Sequence, residues 1–115
     1  MIQIRPEQME AFNRLCLEEF LDRGAAQLRK EFPKEMADAS DANLRIRVRR
    51  GIDRAAIYGL TSQYEVICFV DAAVLLGEDF DRDPKHAWAK VLLDDPSVSP
   101  QDKADRLLAE ALERR

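Results

Sequence analysis

Apolar residues recur along this chain at three- and four-residue intervals, and prolines and glycines cut the pattern into segments of helical length. Pro6 suits the first turn of a helix, with Glu7 and Glu10 where the helix dipole favours negative charge. Met9, Phe12, Cys16 and Phe20 form one stripe, and Leu17, Leu21, Leu28 and Phe32 form a second, displaced around the axis. Together they predict a helix of about 25 residues whose broad apolar face meets neighbours on two sides. Pro33 ends it, because the residue before a proline avoids the helical region.

The next segment carries two periods at once. Leu44, Ile46 and Val48 alternate with Arg45, Arg47 and Arg49, as a half-buried strand would. A longer window changes the reading: Leu44, Val48, Ile52, Ala55 and Tyr58 share one helical face, Ser40 or Asp41 can cap the start, and Gly59 can cap the end. The segment is therefore predicted as helix.

Ser62 and Glu65 have the spacing of a capping box, which predicts a third helix from there to Leu76 with Gly77 closing it. It is apolar nearly all round and so should be central. Asp83-Pro84 starts a short fourth helix that stops before Asp95-Pro96, with Ala87, Trp88, Val91 and Leu92 on its inner side. Ser99-Pro100 repeats the device for a fifth, with Ala104, Leu107, Leu108, Ala111 and Leu112 facing inward. The expectation is an all-α protein, a compact single-domain bundle of about five helices over residues 1–115, with no internal repeat.

Composition agrees with that class and narrows the function. The chain has 115 residues, 46% hydrophobic and 35% charged, with four glycines and five prolines, which suits a globular protein rather than a disordered tail. A net charge of −4 argues against a general binder of nucleic acid or anionic membrane, leaving only a local basic patch. Cys16 and Cys68 each lie among apolar residues and read as buried thiols in a reducing compartment. The N-terminus has no apolar signal region, and the stretch from Val66 to Leu76 is too short to span a bilayer, so the expected location is the cytoplasm.

Candidate chemistry concentrates in GEDFDRDPKHAW, residues 77–88, where Asp79, Asp81 and Asp83 alternate. They match the first three ligand positions of a calcium-binding EF-hand, but the required glycine is replaced by Pro84 and the bidentate glutamate by Lys90. A looser site adding His86 to Asp81 and Asp83 is a weaker alternative. The favoured reading has Asp83 capping the fourth helix, Asp79 and Asp81 solvated or paired with arginines, and Phe80 and Trp88 anchoring the loop. Arg45, Arg47, Arg49, Arg50 and Arg54 form the basic cluster, and on a helix Arg47, Arg50 and Arg54 share an edge. Guanidinium binds phosphate or carboxylate. The acidic remainder of the chain favours carboxylates, in the 78–83 loop or on a partner, and no aromatic residues interleave as a single-strand platform would require. Asp71 falls in the most apolar helix and reads as a structural partner for an arginine or a backbone donor. No nucleophile elbow, phosphate loop or dinucleotide glycine pattern occurs, so neither enzyme activity nor a cofactor or metal is expected.

Residues 51–92, through RGIDRAAIYGL, FVD, LG and DFDRDP, resemble small uncharacterised bacterial proteins encoded among type VI secretion genes, beside spike-tip proteins, effectors and effector chaperones. Ala87 stands where that pattern tends to have a proline before the tryptophan. The resemblance implies a non-enzymatic cytoplasmic adaptor or co-chaperone whose partner is an effector, an effector chaperone or a spike component. The residues proposed to meet that partner are Arg47, Arg50, Arg54, Asp79, Asp81 and Trp88. The rival readings are an immunity protein that neutralises a toxin and a small DNA-binding regulator using the arginine-rich helix.

Overall fold

A computed structural model describes the backbone of residues 6–114 and the side chains of residues 16–114. The protein is all-α. Its five α-helices are α1 (Pro6–Glu31), α2 (Asp41–Ile57), α3 (Gln63–Leu76), α4 (Ala87–Asp94) and α5 (Pro100–Arg114), and no strand occurs among the described residues. A single 3₁₀ turn, Pro84–His86, leads into α4. Contacts group the chain into two units, Met1–Arg45 and Ile46–Arg115, with the boundary inside α2.

In the first unit α1 runs to Glu31, and Phe32 still donates its amide to Leu28 before Pro33 turns the chain. Leu21, Ala25, Leu28 and Phe32 are its buried stripe, joined by Phe20, Met36 and Leu44. The Arg29 guanidinium holds the start of α2, donating to the Ala39 carbonyl at 2.9 Å and the Asp41 carboxylate at 2.8 Å. Ser40 caps that start by accepting from the Asn43 amide, and Arg45 pairs with Glu18 and Asp22. The expected burial of Cys16 is corrected, because its thiol is exposed. At 3.6 residues per turn, Cys16 lies about 140° round α1 from Leu21 and about 40° beyond Phe20, past the edge of the buried face. The side chains of Met9 and Phe12, placed on the same stripe as Cys16, lie outside the described residues.

The remainder of α2 opens the second unit. Ile46 is 53% exposed while Leu44 and Val48 are buried, which is helical periodicity rather than strand alternation. Gly59 ends the helix at φ +78°, with the Gly59 amide bonded to Ala56 and the Leu60 amide to Ala55. This is the Schellman arrangement, and it seats Leu60 in the core. Both halves of the capping box are made at the start of α3: Glu65 donates its amide to Ser62 Oγ, and Glu65 Oε1 accepts from the Ser62 amide. Phe69 is the centre of the core, 6.2 Å between centroids from Tyr58 and 5.0 Å from Phe80.

α3 packs extensively on α5, and α4 also packs on α5. The buried residues of α5 are Lys103, Ala104, Leu107 and Ala111, whereas Leu108 is half-buried and Leu112 exposed. Lys103 reaches back to donate its ammonium to the Leu93 carbonyl at 2.7 Å, satisfying an end carbonyl of α4. The inner face expected for α4 is also corrected. Ala89 and Leu93 are the buried pair, Trp88 and Leu92 are half-buried, and Ala87 and Val91 are exposed. A helix of eight residues buries a narrow strip, and here that strip is Ala89 and Leu93, one turn apart. Among the described residues, no helix is long and apolar enough to cross a membrane.

Candidate functional site

The loop leaving α3 is folded by its own backbone before any side chain contributes. Gly77 takes φ +118° and donates to the Ala73 carbonyl, and the Phe80, Arg82 and Asp83 amides each bond three residues back. These tight turns point Phe80 and Asp81 inward together. Phe80 packs on Phe69 with its ring tilted by 49°, and the Asp81 carboxylate is 0% exposed.

A buried carboxylate requires partners, and α2 and the turn that closes it supply them from positions four residues apart. Arg54 donates Nε to Asp81 Oδ1 at 3.2 Å and Nη2 to Oδ2, a fork-like pair. Tyr58 donates its hydroxyl to Oδ2 at 2.8 Å. Burial alone would push the Asp81 carboxyl up, but the bonds from Arg54 and Tyr58 outweigh it and hold the group below the usual range. The Tyr58 hydroxyl is pushed up by burial and by the carboxylate it donates to. Both shifts keep the site in one protonation state near neutrality: carboxylate, guanidinium and neutral phenol.

The other acids of the loop also have partners in this chain. Asp79 pairs with Arg82 at 2.8 Å. Asp83 accepts from the Lys85 amide at 3.0 Å, the expected cap on the turn before α4. The three aspartates therefore point three ways, and no group of three or more His, Cys, Asp or Glu among the described residues is placed to hold a metal ion.

The outer part of the arginine edge is looser. Glu78 is shared by Arg47, Nε at 3.5 Å, and Arg50, Nη1 at 3.4 Å, both beyond the usual length of a charge-assisted bond. Arg47 also reaches the Ala73 carbonyl at 3.5 Å. Beneath these groups is a pocket of 390 Å³ floored by Phe69, Val70 and Ala73. Gly51 permits the close approach of α2 there, since a Cβ at that position would fall 2.2 Å from a Val70 methyl.

Trp88 occupies a separate place on α4. The Arg114 guanidinium covers its ring at 4.7 Å, and its indole nitrogen is buried without a hydrogen-bond partner among the described residues. Its neighbour one turn on, Val91, is 71% exposed.

The structure thus divides the six residues proposed to meet a partner. Arg54 and Asp81 are spent on each other inside the protein, and Asp81 is withdrawn from the partner-facing set because no solvent reaches it. Arg47, Arg50 and Asp79 sit around the pocket, and Trp88 borders an apolar strip on α4. Two contributors were not singled out from the sequence: Tyr58, assigned only to a core stripe although it stands four residues after Arg54, and Glu78, overlooked beside the alternating aspartates. Compared with known protein families, with curated proteins and with solved structures, the chain finds no match in any of the three.

Proposed function

We propose that this chain is a non-catalytic helical adaptor or co-chaperone that binds a protein partner in the bacterial cytoplasm and assists the loading of a type VI secretion effector. The observation that carries the binding role is the apolar face of α4: Trp88 and Leu92 half-buried, Val91 exposed, on a helix held by its other side. Aromatic anchors flanked by aliphatic contacts dominate protein interfaces. The secretion context rests on the resemblance of residues 51–92.

The site chemistry favours binding over catalysis. Its most deeply buried acid, Asp81, is already occupied by Arg54 and Tyr58 and is not poised to exchange a proton near neutral pH. Regulation through DNA is disfavoured by charge, since the chain carries −4 overall and Arg54 is taken up by the buried Asp81.

Affinity purification from the native cell with mass spectrometry, comparing the natural chain with Val91→Glu, tests the reading. The expected result is an effector, effector chaperone or spike component whose recovery falls by about tenfold in the variant. Equal recovery removes the α4 face. Rescue of cells from a co-expressed toxin by direct binding replaces the adaptor role with immunity.

A further inference from the structure

We propose that the pocket between α2 and the 77–83 loop is a binding site for a small carboxylate bearing one apolar group, with Glu78 occupying the position of the ligand's carboxylate when the site is empty. The site is separate from the α4 face, and the inference does not depend on the adaptor reading.

Size sets the first limit. A volume of 390 Å³ lies near the lower end of ligand pockets, which run from roughly 300 to 1,000 Å³, so it admits one small molecule or the last residue or two of a peptide. The floor sets the second. The side chains of Phe69, Val70 and Ala73 are hydrocarbon, and what rests on them should be an aliphatic or aromatic group.

Charge decides what sits at the mouth. Arg54 pairs with Asp81, Arg82 with Asp79 and Arg49 with Asp53, each one to one. Among the described residues Glu78 alone serves two guanidiniums, Arg47 and Arg50, so that one positive charge at the rim has no matching carboxylate among them. The contacts are 3.4 and 3.5 Å, and the Arg47 Nε is buried with no hydrogen-bond partner among the described residues. A ligand carboxylate that takes the place of Glu78 between these guanidiniums would give the Arg47 Nε its acceptor in the planar geometry guanidinium favours. Glu78, turned aside but still at the rim, would leave two carboxylates for the two arginines. Glu78 lies at the start of the loop with its side chain about half-exposed, so it can rotate away without disturbing Asp81.

The pairing yields opposite signs for two conservative variants. Arg50→Gln removes a donor and should weaken binding. Glu78→Gln removes the internal competitor and one negative charge, and should strengthen it. A merely structural ion pair would give neither response.

The test is carbon–proton NMR of the Val70 and Ala73 methyl groups during titration with 4-methylpentanoate, its primary amide, and an N-acetylated tripeptide ending in leucine. The expected result is saturable shifts at both methyls with the two acids, at least about tenfold weaker binding of the amide, and a dissociation constant that rises about threefold in Arg50→Gln and falls about threefold in Glu78→Gln. The tighter of the two acids distinguishes a free metabolite from a polypeptide terminus. Absence of shifts at both methyls with either acid, equal binding of acid and amide, or the same sign of change in both variants overturns the proposal. Both substitutions lie on partly exposed side chains, and an unchanged methyl spectrum before titration verifies that each variant is folded.

Discussion

Arg54 and its neighbours Arg47 and Arg50 stand on one edge of α2 and meet the same loop, yet they meet it on different terms. At the inner end Asp81 is removed from water and held from two directions by Arg54 and Tyr58. At the outer end Glu78 lies half in solvent, shared at long distance by two guanidiniums. Both are arginine–carboxylate pairs in sequence, but the inner one fixes the loop and the outer one is free to exchange partners. Burial, not residue type, makes that difference: the same Coulomb attraction is screened outside and costly to lose inside.

Asp81→Ala should break the comparison most severely. It leaves a guanidinium and a phenol facing a vacated interior, and a loss of about 3–5 kcal/mol in urea unfolding is expected. A loss under about 1 kcal/mol would show that the inner pair is no stronger than a surface one. Gly51→Ala tests whether α2 is held close along its whole edge. The methyl meets Val70, and overpacking of about 1–3 kcal/mol should exceed the helix-propensity gain of up to about 1 kcal/mol, so the variant should be less stable. Increased stability would mean that Val70 simply turns aside.

Acid titration sharpens the contrast without truncation. The folded Asp81 carboxyl lies below its ordinary value, so its stabilisation is complete above about pH 3.9 and is lost as pH falls through the lower folded value. The stability difference between the natural chain and Asp81→Asn should therefore shrink in acid, read as converging denaturation midpoints below about pH 4. A difference that stays constant there would assign Asp81's contribution to hydrogen-bond geometry alone. Smallest is Glu78→Gln, for which a change within about 0.5 kcal/mol is expected, because exposed pairs contribute little.

Much of this contrast could not be read from residue order. Helix boundaries could, because their signals are local: Pro6, the Ser62 capping box, Gly59, Asp83-Pro84 and Ser99-Pro100 each act on backbone groups within a turn. The choice of helix over strand at residues 44–48 was also legible once the window reached Tyr58. Which side of a short helix is covered was not. In α4 the larger residues Trp88, Val91 and Leu92 outweigh Ala89 and Leu93 in any count of apolarity, yet the smaller pair is the one buried. The same limit applies to Asp79 and Asp81, two residues apart and alike in sequence. Their separation into exposed and buried depends on the turns after Gly77 and on Arg54, 27 positions earlier.

Phe80 and Asp81 are consecutive and both interior, one on the aromatic cluster and the other on Arg54. That ties the connection between α3 and α4 to a fixed residue count. Inserting or deleting a residue next to this pair would carry either the ring or the carboxylate out of its place, so length variants among natural relatives should be scarce here. The segment between α4 and α5 carries no such double anchor, its own polar contacts running from Asp95 to Ser97. Changes of length in this part of the chain should gather there, although the acidic loop of residues 78–83 has the more polar, more surface-like composition.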